Sequence, residues 1–307
     1  MILGVLGGSG LYDIDGLVDA RADEVSTPFG APSGPLVSGR LGEARLLFLP
    51  RHGAGHRFSP SEINYRANVF ALKAAGATRV LSVSAVGSLR EGMPPGDLVL
   101  ADQFIDKTFR RASTFFGDGA VGHVSFAEPT CAAFSAAVAA AAAETGVREA
   151  AADARLTPRV AGSGKRLHRG GTYVCMEGPQ FSTRAESLLH RSWGADLIGM
   201  TAVTEAKLCR EAELCFASLA LVTDYDCWHA EEEAVTAQAV IAVLNANVAG
   251  AKEIVRRLPN HVAHAAHAVR AAACGCAQAA AAAIITAPEA ITPEARQRLR
   301  ALHGRES

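Results

Sequence analysis

The stretch Phe216-Ala217-Ser218-Leu219-Ala220-Leu221-Val222-Thr223-Asp224-Tyr225-Asp226-Cys227-Trp228 decides how this chain is read. From Phe216 to Val222 it is an apolar run of strand length, the pattern of a buried strand. Where the run stops, two carboxylates stand two residues apart. Ligands of open α/β sheets bind just beyond the carboxyl ends of strands. Asp224 and Asp226 are therefore placed to face one, each as hydrogen-bond acceptor or, when protonated, donor. The alternative is an Asx turn that caps a helix expected from near Glu231.

The same pattern recurs outward from this stretch. Ile2–Leu6 predicts a strand that runs into Gly7-Gly8-Ser9-Gly10, either an anion nest with a hydroxyl at Ser9 or a tight turn without a ligand. The dinucleotide fingerprint G-x-G-x-x-G fails there, because Gly8-Ser9-Gly10 continues with Leu11-Tyr12-Asp13. Leu46–Leu49 ends in Pro50-Arg51-His52-Gly53, which is either an oxyanion site, since guanidinium grips phosphate bidentately, or a solvated turn. Val80–Ala85 places Ser84 and Ala85 at a further expected strand end, and Leu197–Met200 places Met200 and Thr201 at another.

Helical spacing of Ala67, Phe70, Ala71 and Ala74 predicts a helix over Asn64–Ala75, and further helices are expected over 128–143, 205–213 and 231–258. Thr183 with Glu186 three residues on forms a capping-box signature. Strands alternating with helices make the fold class α/β. Glu149–Gly164 reads as an exposed excursion, and its Gly162-Ser163-Gly164-Lys165-Arg166 lacks the residues of a P-loop. Pro259 is expected to end the long helix. The domain division is then 1–259 for the main body and 260–307 for a C-terminal helical extension.

Thirty basic and thirty-one acidic residues leave a net charge of −1, which gives no electrostatic case for nucleic acid or an anionic membrane. Anion binding must be local. No apolar segment reaches membrane-spanning length and no basic leader precedes Met1–Leu6, so the expected compartment is the cytoplasm. The seven cysteines are expected to be reduced there. His261, His264 and His267 lack the i, i+4 spacing of a helical metal site. Cys274-Gly275-Cys276 is too short for the usual zinc knuckle and reads as a redox-labile or structural thiol pair. No metal is expected.

Three hydroxyls, an arginine and a histidine at expected strand ends suit inorganic phosphate. G-x-S-x-G, H-E-x-x-H and Walker motifs are all missing from the sequence, which suggests that phosphate itself is the attacking group. The motifs Gly7-Gly8-Ser9-Gly10-Leu11, Pro50-Arg51-His52-Gly53, Ser84-Ala85-Val86-Gly87-Ser88-Leu89, Glu177-Gly178-Pro179-Gln180-Phe181-Ser182-Thr183-Arg184-Ala185-Glu186, Gly199-Met200-Thr201 and Thr223-Asp224-Tyr225-Asp226-Cys227-Trp228 occur in order. Together they resemble the methylthioadenosine phosphorylase branch of the trimer-forming purine nucleoside phosphorylases, from about Leu3 to Leu258.

The resemblance implies a single-domain fold with a mixed β-sheet core flanked by helices. It implies phosphorolysis of 5′-methylthioadenosine to adenine and 5-methylthioribose 1-phosphate, with no metal or organic cofactor and a homotrimer or a dimer of trimers as the assembly. By the same resemblance, Ser9, Arg51, His52, Ser84, Ala85 and Thr201 hold phosphate and Met200 lies against the ribose. Phe181 and Ser182 line the base pocket, and Asp224 and Asp226 bind the purine as the catalytic pair. His123 resembles a histidine lent by a neighbouring subunit to the methylthio pocket, whose apolar wall falls at Val235 and Ile241. An aspartate at Asp224 suits a 6-aminopurine; the 6-oxopurine nucleosides methylthioinosine, inosine and guanosine are the alternative substrates. Ser9 and Ser84 stand where relatives often carry threonine, and Thr204 replaces a common proline. Which carboxylate serves which role stays open at this level.

Overall fold

A computed structural model describes the chain except residues 9, 12, 158–163, 230–236, 269–273 and 305–307, and except the side chains of 237–242, 244–246 and 263–268. In chain order the elements are β1 (Ile2–Gly7), β2 (Val18–Asp23), β3 (Leu36–Leu41), β4 (Ala44–Pro50), α1 (Tyr65–Ala74), β5 (Arg79–Ser88), β6 (Leu98–Ala101) and β7 (Gln103–Asp106). They continue with α2 (Ala132–Ala143), β8 (Arg148–Glu149), β9 (Arg166–Arg169), β10 (Thr172–Cys175), α3 (Arg184–Ser192), β11 (Leu197–Gly199) and α4 (Ala202–Glu211). Strand β12 (Cys215–Asp224), α5 (Ala237–Ala268) and α6 (Pro293–His303) complete the series.

The strands form one mixed sheet in the order β2-β3-β4-β1-β5-β12-β6-β9-β8, with β10, β11 and β7 branching from β5. β4, β1, β5 and β12 are mutually parallel neighbours, so their carboxyl ends open on one edge. This is where an α/β sheet binds its ligand. Both faces are covered. One core gathers Leu3, Val5, Phe48, Leu81, Leu219 and Leu221 under α2 and α5. The other gathers Leu6, Leu47, Leu49, Val80 and Phe216 under α1 and α4. The period-2 alternation along β1 and β4 sends neighbouring side chains to opposite cores, and burial on both sides explains why these strands read as continuous apolar runs.

Several details depart from the sequence reading. β5 does not end at Ala85. It pairs with β1 only through Ser82, then continues along β12 and meets the antiparallel β11 at Gly87-Ser88. Ser84 and Ala85 are therefore mid-strand residues beside a split in the sheet. Pro259 does not end α5, which runs on to Ala268. The buried stripe Ala251, Ile254, Val255, Leu258 and Val262 crosses the proline and holds both halves of the helix on one core, outweighing the single backbone hydrogen bond that proline forfeits. β7 and β9 were not legible in the sequence. Beyond α5, Ile291, Ala295 and Leu299 pack with Phe116 and Ala120, while Leu302 enters the α1–α4 core. No helix among the described residues is long and apolar enough to cross a membrane.

Candidate active site

The split between β1 and β5 is filled by Arg51. Past Ser82 the two strands no longer pair, which leaves the Leu6 and Val83 carbonyls needing donors. The Arg51 guanidinium supplies them, with Nη2 to Leu6 O at 3.2 Å and Nη1 to Val83 O at 3.1 Å. Its fork closes on Glu205 of α4, through Nε to Oε1 and through Nη2 to Oε2 at 3.1 Å. Ser82 Oγ donates to the same carboxylate at 2.6 Å. Burial alone would lower the Arg51 pKa, but Glu205 outweighs it and the pKa is raised. The bidentate grip expected for an anion is thus already committed to Glu205, a residue the sequence reading placed only at a helix start.

Around this ion pair lie groups suited to an anion. Ser84 Oγ is buried with no hydrogen-bond partner among the described residues, and so is the hydroxyl of Tyr173. The two are close enough that Ser84 partly offsets the rise burial imposes on the Tyr173 phenol, without meeting hydrogen-bond geometry. Gly199 makes room for Tyr173, since a Cβ there would sit 2.0 Å from the phenol oxygen. Thr201 is the buried N-cap of α4, yet its side chain makes no capping bond. That leaves its hydroxyl uncommitted to the cap, at the end of the ten-residue helix where the first-turn N–H groups emerge. His52 Nδ1 lies 2.8 Å from Phe58 O, and a carbonyl only accepts, so Nδ1 carries the proton. Burial and the adjacent Arg51 push its pKa down to about 4. Ala85 is half-buried in β5 opposite Leu221. Ser9 lies outside the described residues.

The carboxylates sit at the far end of the same edge. Register between β5 and β12 shifts between Val222 and Asp224, and this bulge re-aims Asp224 over Gly87. A Cβ on Gly87 would come within 2.9 Å of Asp224 Oδ1, so the glycine makes the seat. Thr223 Oγ1 donates to Asp224 Oδ2 at 2.7 Å and the Asp226 N–H to Oδ1 at 2.8 Å. The second bond is an Asx turn, so the two readings of this stretch hold together. The helix start expected near Glu231 lies outside the described residues, and α5 is described from Ala237. Burial raises the Asp224 pKa, and the Thr223 and Asp226 donors do not cancel the rise. Asp226 has a left-handed φ of 53° and a buried Oδ2 without a partner among the described residues. Burial raises its pKa too, against the Ser187 and Ser182 hydroxyls and with Asp224 adding to the rise.

A buried arginine that sequence reasoning missed holds the intervening loop. Arg111 donates to Glu177 Oε1 at 3.2 Å, to Glu177 O at 2.6 Å and to the carbonyl of Met200. Glu177 in turn accepts from Ser61 Oγ and from the Phe109 N–H at 2.6 Å. Met200 packs on Gly178, where a Cβ would lie 2.5 Å from its sulfur. Thr183 and Glu186 form the expected capping box of α3. Ser182 is half-buried with its carbonyl accepting from Cys227 Sγ, and Phe181 is exposed. His123 stands apart, its N–H bonded to Ala283 O of the C-terminal segment. Val235 lies outside the described residues; Ile241 is on α5, but its side chain does too.

The sequence model of the phosphorylase superfamily matches residues 2–259. The chain belongs to that superfamily of pentosyltransferases. Among curated relatives, the S-methyl-5'-thioadenosine phosphorylase of Geobacter sulfurreducens is 51% identical over 97% of this chain and 96% of its own length. The S-methyl-5'-thioadenosine phosphorylase of Cereibacter sphaeroides is 50% identical over 99% and 98%. A solved methylthioadenosine phosphorylase from an antarctic soil metagenomic library superposes with a TM-score of 0.84 at 42% identity, covering 98% of both chains. The methylthioadenosine phosphorylase from Schistosoma mansoni, in complex with adenine, superposes with a TM-score of 0.79 at 39% identity over 86% of this chain and 92% of that one.

Proposed function

We propose that the chain catalyses phosphorolysis of 5′-methylthioadenosine to adenine and 5-methylthioribose 1-phosphate. Its full-length similarity to curated phosphorylases of that substrate supports the reading. The single structural observation that carries it is the pairing of the Ser84–Arg51–Thr201 anion locus with a bulge-held Asp224 whose burial favours the protonated acid.

In this reading phosphate sits against Ser9, Arg51, His52, Ser84, Ala85 and Thr201. Arg51 contributes charge and its remaining Nη1–H, because its fork is bound to Glu205. Neutral His52 presents Nε2 as an acceptor for a P–OH group. As the C1′–N9 bond breaks, positive charge grows on C1′ and the phosphate oxygen below both stabilises and captures it. The electron pair of the broken bond passes to the purine. Asp224 gives its proton to N7 of the leaving adenine and becomes a carboxylate. Asp226 accepts from the 6-amino group, with Ser182 and Phe181 along the base and Met200 along the ribose.

The methylthio pocket takes Val235 and Ile241 from this chain and His123 from a neighbouring one. This makes a homotrimer, or a dimer of trimers, the working assembly. The compartment is the cytoplasm. The deciding experiment measures adenine release from methylthioadenosine with and without inorganic phosphate, with methylthioinosine in parallel. Release only with phosphate supports the proposal. Preference for methylthioinosine overturns the 6-amino assignment, and release without phosphate overturns phosphorolysis.

A further inference from the structure

At the amino end of β12, opposite the carboxylates, four cysteines converge from three parts of the chain. Cys131 precedes α2, Cys215 opens β12, and Cys274 and Cys276 come from the segment after α5. Their sulfurs all lie within 4.8 Å of one another, with Cys215 and Cys274 at 3.5 Å, and none is bonded to another. Four thiolates on a tetrahedral zinc ion, at about 2.3 Å each, stand about 3.8 Å apart. Two disulfides would instead draw the sulfurs into pairs at about 2 Å. A set held within 4.8 Å, with its Cys215–Cys274 pair at 3.5 Å and no sulfur bonded to another, accommodates the first arrangement and not the second.

We propose that Cys131, Cys215, Cys274 and Cys276 form a structural tetrathiolate zinc site that clips the C-terminal segment to the sheet. Gly275, at a left-handed φ of 64°, folds the Cys-x-Cys pair so that two ligands come from three residues. The short spacing that argued against a zinc knuckle is completed by two distant cysteines. Binding displaces four thiol protons and leaves the site with two net negative charges. Two features offset them. Cys131 is the N-cap of the twelve-residue α2, whose positive end favours a thiolate, and Arg79 lines the same cavity. Three of the cysteines are buried and Cys274 is exposed, which leaves a path for the ion to enter. The Cys131 N–H donates to Phe216 O at 2.7 Å, so the α2 ligand is already tied to β12.

The clip closes the loop from Cys215 to Cys274, 59 positions apart, and a closed loop lowers the entropy of the unfolded chain. Along the ten residues of β12 it lies roughly 30 Å from Asp224, too far to touch substrate. Its effect falls on stability.

The test takes the full chain purified with reductant, dialyses it and measures its metal. About one zinc per chain is expected. Cobalt(II) in its place is expected to give the visible bands of a tetrahedral sulfur-ligated ion. Cys274→Ser, at the exposed ligand, should lose the metal and the cobalt bands, and lower Tm by about 4–10 °C. Its kcat, measured well below Tm, should stay within about twofold, as expected of a metal too distant to polarise the substrate. An apo chain without cobalt bands overturns the proposal, as does bound iron or a native mass lighter by the four hydrogens of two disulfides. Should Cys274→Ser not fold, the cobalt spectrum and metal content of the unsubstituted chain decide the matter alone.

Discussion

In the anion half of the site, Arg51 has two carbonyls, a serine hydroxyl and a carboxylate already bound to it. In the base half, Asp224 rests on one threonine hydroxyl and one N–H, and the neighbouring Asp226 keeps an oxygen unpartnered among the described residues. The first half must hold a permanent charge still in a dry interior, which only saturated hydrogen bonding allows. The second must exchange a proton, which a saturated carboxylate would resist. Rigidity and reactivity are thus separated along one sheet edge.

Breaking the saturated half should cost most. Glu205→Gln leaves the Arg51 charge buried without its counter-ion, and a loss of about 3–5 kcal/mol is expected in denaturant unfolding. A change below about 1 kcal/mol would show that the pair is not what holds the split between β1 and β5.

In the reactive half, Asp224→Asn removes the transferable proton. A fall in kcat for methylthioadenosine of about 10²–10⁴-fold is expected, with no loss of thermal stability because a carboxyl penalised by burial has gone. Equal losses in stability and turnover would make Asp224 a turn-former only. With the wild-type enzyme, kcat should decline as pH rises through the elevated Asp224 pKa, since the acid form is the active one.

Ser84→Ala sharpens the contrast. The hydroxyl has no hydrogen-bond partner to lose among the described residues, so the unfolding midpoint should hold while KM for phosphate rises about 10–100-fold. A stability loss without a KM effect would place the hydroxyl in the core and not in the site.

The smallest effect is His52. Its folded pKa of about 4 lies below the ordinary 6.5. Between those values the unfolded chain binds the proton that the folded chain refuses, so its contribution to stability declines as pH falls from 6.5 towards 4. His52→Gln should flatten that part of the pH–stability curve, measured by thermal unfolding at a series of pH values.

Much of this was legible in the residues themselves. The apolar run into Asp224, the capping box at Thr183, and Arg51 and Ser84 a few residues before Gly53 and Gly87 are local signals, because a strand, a cap or a close backbone approach leaves its mark within a few residues. Strand β9 left none, since Arg166-Leu167-His168-Arg169 is largely polar; it becomes a strand by pairing with β6 and β8, with buried Asp97 taking Arg166 and His168. Pro259 misled for a related reason: local backbone cost was outweighed by a buried stripe that no short window reveals.

The partners of the site belong to the tertiary structure. Glu205 is 154 positions from Arg51, and Glu177 is 66 from Arg111. Cys131 and Cys215 meet Cys274 and Cys276 only through the fold. The chain by itself determined which residues carry charge, protons and hydroxyls, and which runs become strands. Tertiary structure decided which charges neutralise one another and which atoms stay unpaired, because burial and long-range pairing depend on where the sheet parts and where the chain returns to it.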